Sequence, residues 1–185
     1  MSYKKKSTGF DGLLDLQPSV FEDDRGFFFE SFNLKEFESV VGEEVNFVQD
    51  NHSMSLKGVI RGLHLQLKKP QAKLVRVISG LIYDVVVDLR PTKPTFKQWF
   101  GIEISSSKKN MLWIPKGFAH GFQVRSKYAE VIYKTDQYWD KEDDHTLAYD
   151  DPHLNINWNY KKSILSTKDS NGSSLDEIVQ KLELL

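Results

Sequence analysis

The chain has 185 residues, 39% hydrophobic and 28% charged, a balance that allows one domain with a core of its own. A formal net charge of −1 and a pI near 6.5 leave no basic field to draw in nucleic acid or an anionic membrane, and the lack of cysteine excludes disulfides, thiolate metal sites and a thiol nucleophile. No apolar stretch approaches the ~20 residues that span a bilayer and no signal-peptide core follows the N-terminal lysines, so a cytoplasmic protein with neither a membrane nor a nucleic-acid partner is expected.

In chain order, Lys4-Lys5-Lys6 reads as a solvated N-terminal end. β-Branched and aromatic residues then predict strands over 27–32, 45–51, 59–66, 73–78, 81–89, 98–104, 111–114, 121–124 and 130–138. Asn33 with Glu36 three residues on predicts a capped helix that carries Phe37 and Val41 and stops at Gly42. Ser79-Gly80, between two strand-like runs, predicts a tight hairpin turn. Alternation over 73–78 sets Lys73, Val75 and Val77 on one face and Leu74, Arg76 and Ile78 on the other. Residues 163–174 are polar and read as irregular. Ser174 and Glu177 then repeat the capping signature ahead of an apolar stripe of Leu175, Ile178, Val179 and Leu182. Many antiparallel strands with two short helices predict a mainly β fold, an antiparallel jelly-roll sandwich, with residues 1–185 as one domain.

Two ordered histidines stand out among the five in the chain. His64 lies in Gly58-Val59-Ile60-Arg61-Gly62-Leu63-His64-Leu65-Gln66, and His120 in Pro115-Lys116-Gly117-Phe118-Ala119-His120-Gly121-Phe122. An imidazole can move protons near neutral pH, and an arginine beside it can hold an anion. The Pro115, Gly117, His120 pattern resembles the second motif of the cupins, whose metal-binding members carry a histidine where this chain has Gln66. Two histidines and an amide make a poor set for Zn²⁺ or Fe²⁺, so no metal is expected. Strict alternation puts Ile60, Gly62, His64 and Gln66 on one strand face and Arg61 on the other; Arg61 shares the pocket only if Gly62 bends or bulges the strand. Tyr133 and Tyr138 could serve as phenolic acids, and Lys73 and Arg61 could neutralise an oxyanion or a phosphate. Alone, each of these residues reads as readily as packing or surface.

From Phe21 to Asp169 the chain resembles the dTDP-4-dehydrorhamnose 3,5-epimerase family, a metal-free branch of the cupins. The match runs through Phe21-x-Asp23-x-Arg25-Gly26-x-Phe28-x-Glu30-x-Phe32, Val48-Gln49-Asp50-Asn51-His52-Ser53, the His64 segment and Lys73-Leu74-Val75-Arg76. It continues through Asp84 to Arg90, Ile114 to Phe122, Tyr133-Lys134, Asp150-Asp151-Pro152, Trp158 and Leu165-Ser166-x-Lys168-Asp169.

The resemblance implies a base at His64 that takes a proton from a carbon next to a ketone, oriented by Asp169. It implies an acid at Tyr133 that returns a proton on the opposite face, and Lys73 beside the developing enolate, with His120 lining the pocket. Arg25, Glu30, Gln49, Asn51 and Arg61 match positions that hold a nucleotide-sugar. Family members often carry a second tyrosine six residues beyond the acid; here that position is Trp139, with Tyr138 one place earlier. Both are taken as substrate contacts, and the departure keeps inversion of one carbon open beside inversion of two. The resemblance further implies no cofactor, a dTDP-linked 4-keto-6-deoxy sugar as substrate, and a homodimer with exchange of an N-terminal strand.

Overall fold

The computed structural model describes residues 3–158 and 163–185. Its strands are β1 (Lys4–Ser7), β2 (Leu14–Gln17), β3 (Phe21–Asp23), β4 (Gly26–Phe28), β5 (Gln49–Leu56), β6 (Ile60–Gln66), β7 (Lys73–Ser79), β8 (Leu81–Asp88), β9 (Trp99–Ser105), β10 (Met111–Ile114), β11 (Phe118–Val124), β12 (Tyr128–Thr135) and β13 (Asp144–Thr146). The helices are α1 (Leu34–Val41), α2 (Thr167–Ser170) and α3 (Leu175–Glu183), with a 3₁₀ turn at Lys141–Asp143.

Two antiparallel sheets face each other, one in the order β1-β2-β10-β7-β12-β5 and one in the order β13-β6-β11-β8-β9. Alternation along the strands divides the apolar side chains among three layers. Val75, Val77, Ile82, Val86, Phe118 and Phe122 fill the space between the sheets. Ile60, Leu63, Leu65, Val85 and Val87 point out of the second sheet and are covered by Leu175, Ile178 and Val179 of α3. Leu16, Leu74, Met111 and Trp113 point out of the first sheet and are covered by Phe37 of α1. The jelly-roll sandwich expected from the strand pattern is the fold observed, and both helices close as their caps predict. Asn33 accepts the Glu36 N–H, Gly42 adopts φ 85° after the last turn of α1, and Ser174 and Glu177 form a reciprocal capping box.

Several boundaries differ from the sequence reading. Ser79-Gly80 is not a hairpin: β7 belongs to the first sheet and β8 to the second, so the turn carries the chain across the sandwich. Lys4-Lys5-Lys6 is solvent-exposed but belongs to β1, which pairs with β2 at the sheet edge. The 27–32 strand is shorter, ending at Phe28 in a two-stranded ribbon of β3 and β4. The 45–51 strand begins at Gln49, and the 130–138 strand ends at Thr135. Residues 163–174, read as irregular, hold α2. Among the described residues no helix is long and apolar enough to cross a membrane.

Candidate active site

The strand β6 opens the site. In its pairing with β11, His120 lies opposite His64 and Phe122 opposite Arg61, a register that can be kept only by an extra residue in β6. Gly62 takes up the bulge at φ 124°, and a Cβ there would meet the Gly121 Cα at 2.5 Å and the His120 carbonyl oxygen at 2.7 Å. The bulge changes the face on which side chains emerge. Ile60 and Leu63 both pack in the outer layer, so the expectation that Ile60 shares a face with His64 does not hold. Arg61 and His64 instead line the same cavity, as the bend at Gly62 requires. Arg61 Nε donates to Ser55 Oγ at 2.8 Å, which fixes the guanidinium against β5.

That cavity, about 220 Å³, is walled by both sheets: Arg61, His64 and His120 from the second, and Asn51, Lys73 and Tyr133 from the first. A neighbouring cavity of about 420 Å³ shares Asn51, His52 and Tyr133 with it. Together they give a polar chamber and a less polar annex separated by the Asn51–Tyr133 cross-strand pair.

His64 is held from a distant part of the chain. Its Nε2 lies 2.6 Å from Asp169 Oδ1, and the other carboxylate oxygen, Oδ2, accepts the Ser166 hydroxyl at 2.8 Å. Ser166 caps α2, so a single helical turn brings Asp169 to the histidine. Burial works to raise the Asp169 carboxyl. The hydrogen bonds from His64, Ser166 and the Gly62 backbone outweigh it and hold the group below the ordinary aspartate range. A carboxylate accepting Nε2–H leaves Nδ1 as the unprotonated ring nitrogen of a neutral imidazole.

His120 has a carboxylate partner of its own, which is not among the sequence expectations. Asp84, wholly buried on β8, accepts from His120 Nε2 at 2.9 and 3.0 Å. Burial pushes His120 down and Asp84 up, while their mutual attraction opposes both shifts. An aspartate with the inward parity of Ile82 and Val86, in an otherwise apolar strand, is the signal that could have found it.

Lys73 is buried in the same wall. Desolvation lowers its ammonium to about 8, with Asp84 and Asp144 opposing that loss and Lys168 adding to it. Tyr133 is raised above the ordinary phenol value by burial first, against the field of Arg61, and further by Asp144; it stays a phenol at neutral pH.

The structure thus brings His64, Asp169, Tyr133, Lys73, His120, Arg61 and Asn51 together. It does not bring Arg25 there within one chain: that side chain is 89% exposed, paired with Asp23 at 2.6 Å on the β3–β4 ribbon. Glu30 lies near the start of α1, with Oε1 accepting from Asn33 at 3.5 Å and a buried Oε2 that has no hydrogen-bond partner among the described residues. Gln49 accepts the Trp139 N–H at 3.0 Å and donates to Asn51 at 3.0 Å. Tyr138 and Trp139 are both exposed, after the end of β12. Gln66, at the position of the missing cupin ligand, is engaged through both amide atoms with neighbouring backbone. Among the described residues no group of three His, Cys, Asp or Glu side chains is gathered as for a metal ion.

A jelly roll whose two sheets close a carboxylate-backed histidine, a phenol and a buried ammonium around one chamber is the frame of a proton-transferring isomerase. The family model of dTDP-4-dehydrorhamnose 3,5-epimerase matches residues 7–177. A protein of that name from Pseudomonas aeruginosa is 51% identical over 159 residues, 85% of this chain and 88% of that one. The Escherichia coli K12 protein of the same name is 48% identical over 175 residues, 94% and 95% of the two chains. A crystal structure of dTDP-6-deoxy-D-glucose-3,5-epimerase from Legionella pneumophila in complex with dTDP-4-keto-L-rhamnose superposes with a TM-score of 0.94 at 44% identity, covering 97% of this chain and 96% of that one. The chain belongs to the dTDP-4-dehydrorhamnose 3,5-epimerase family and is an isomerase.

Proposed function

We propose that the chain converts dTDP-4-dehydro-6-deoxy-glucose to dTDP-4-dehydro-rhamnose by inverting C3 and C5 of the sugar, with His64 as base and Tyr133 as acid. One observation carries the assignment of roles. His64, backed by Asp169, and Tyr133 line one cavity from opposite sheets, so a sugar ring between them meets a base on one face and an acid on the other.

The chemistry then follows from the residues. The C4 ketone acidifies C3–H and C5–H alike. Neutral His64 accepts the proton at its free nitrogen, and the bond pair moves into the carbonyl to give an enolate at O4. Asp169 stabilises the imidazolium that forms. Lys73, protonated below about pH 8, offsets the enolate charge in a chamber where an unpaired oxyanion would be costly. Tyr133 O–H delivers a proton to the opposite face, and solvent restores both groups. The ring carbons change configuration with no net oxidation. Arg61 and the Nδ2 donor of Asn51, which has no partner among the described residues, are available to the diphosphate and the sugar.

Incubation of enzyme and substrate in deuterated water tests this reading. Label at both C3 and C5 supports it; label at neither refutes it. The second reading, inversion of a single carbon, is favoured by Trp139 standing in place of the family's tyrosine, and it predicts label at one carbon.

The same reading includes a homodimer. β1 and β2 are committed to the chain's own sheet, which leaves the β3–β4 ribbon as the segment for exchange. Its Phe21, Phe27 and Phe28 are 53%, 60% and 62% exposed, and Arg25 rides on it. A partner's ribbon would bury those rings and bring Arg25 to a chamber it does not reach in its own chain. Sedimentation of the wild-type chain as a monomer at micromolar concentration would remove this part.

A further inference from the structure

Gln66 stands two residues from His64, and its buried carboxamide is turned towards the segment that follows β12. Oε1 accepts the Asp140 N–H at 2.8 Å, while Nε2 donates to the Lys69 carbonyl at 2.8 Å and lies 3.4 Å from the Tyr138 carbonyl. From the opposite sheet, Gln49 Oε1 accepts the Trp139 N–H at 3.0 Å. Two glutamines, one from β5 and one from β6, therefore hold successive peptide N–H groups. The indole is held separately: its Nε1 donates to Asp144 Oδ2 at 2.9 Å, and Asp144 is the cross-strand neighbour of Gln66 on β13. Asp144 is also the carboxylate whose field reaches both Lys73 and Tyr133. Trp139 remains 55% exposed, so this is an aromatic surface kept in place by hydrogen bonds without core packing.

We infer that Gln66 is a positioning residue that acts through Trp139, fixing the Tyr138–Trp139 pair as a preformed aromatic wall beside the reaction chamber. The inference rests on the nucleotide-sugar reading given above. A wall already ordered spares the bound complex the loss of side-chain and loop freedom. Loosening it weakens capture of the sugar nucleotide while leaving the His64–Asp169 pair, which makes no contact through Gln66, in place.

Steady-state kinetics in deuterated water on Gln66→Met, Gln66→Asn, Trp139→Ala and the Gln66→Met/Trp139→Ala double variant test it. Loss of the amide raises KM about tenfold, as expected for one or two lost hydrogen bonds, and leaves kcat for hydrogen wash-out within about threefold. In the Trp139→Ala background, Gln66→Met changes KM by less than about twofold, because the residue through which Gln66 acts is gone. Acrylamide reaches tryptophan more readily in Gln66→Met than in wild type. An unchanged KM, a fall in kcat at constant KM, or additive effects in the double variant overturn the positioning role. Gln66→Asn, too short to reach the same backbone groups but still polar, supplies the same test if Gln66→Met does not fold. Wild type that exchanges no sugar hydrogen overturns the function itself; wild type that exchanges normally beside a Gln66→Met enzyme of unchanged KM overturns only the role of Gln66.

Discussion

Asp169 Oδ1 and His64 Nε2 lie 2.6 Å apart although 105 residues separate them in the chain. In the proposed mechanism the carboxylate is the anion that makes an imidazolium tolerable in the chamber. Asp169→Asn keeps a hydrogen-bond acceptor and removes the charge. The expected result is a fall of about 10²–10³ in kcat for deuterium wash-in, with little change in melting temperature. Wash-in at the wild-type rate would remove Asp169 from the mechanism.

In the proposed mechanism Tyr133 and His64 divide the two proton transfers. Burial keeps Tyr133 a phenol, the form the proposed acid requires. Tyr133→Phe should still let His64 remove a proton, giving solvent exchange within about tenfold of wild type, while net inversion falls ~10²-fold or more. Nuclear magnetic resonance of the sugar in deuterated water separates exchange from inversion. Equal loss of both would assign Tyr133 to the first step.

If Lys73 acts as proposed, it sets an alkaline limit. Its ammonium, lowered to about 8, would lose the proton assigned to the enolate as pH rises through that value, so kcat is expected to fall on the alkaline side. Asp84 holds Lys73 up, hence Asp84→Asn moves this limb to lower pH. The stability consequence has the opposite sense. The folded chain binds fewer protons than the unfolded one between about 8 and 10.5, so stability from this group rises with pH across that window. Lys73→Met therefore melts higher than wild type at pH 7, and the gap closes toward pH 10. A gap that widens with pH would contradict the buried-ammonium account.

Gly62 has no room for a side chain. Gly62→Ala places a Cβ 2.5 Å from the Gly121 Cα at a φ of 124°, where L residues are strained. A cost of about 3 kcal/mol, or ~10 °C in Tm, is expected, together with lost activity as His64 and Arg61 are displaced. Thermal melts and wash-in rates measured side by side check both parts.

What could be read from the sequence follows the range of the forces involved. α1 and α3 closed where their caps stood because capping is local to one turn. The central strands followed apolar alternation. β1 is lysine-rich with no buried face, and β13 is an Asp-His-Thr triplet with little strand preference; pairing with β2 and β6 makes them strands, and no local signal reports that. His64, Lys73 and His120 announced themselves as polar groups in apolar runs. The approach of Asp169 to His64 depends on the fold of the whole chain, and came only with the family resemblance. In the sequence Asp84 is one acid in a valine strand, and only its complete burial shows that it needs a partner. In the sequence Gln66 shows only as a missing metal ligand, because its contacts with Tyr138 and Asp140 lie over seventy residues away.

The short helix α2 makes the site dependent on one weak element. Asp169 on that turn reaches His64, and its neighbour Lys168 pairs with Asp144, the acid that holds the Trp139 ring. A single opening of four residues would therefore remove the counter-charge from the proposed base and, at the same moment, strip Asp144 of its lysine partner, leaving the indole bound to an uncompensated acid. Activity should then be lost in one cooperative step, below the temperature at which the sandwich melts.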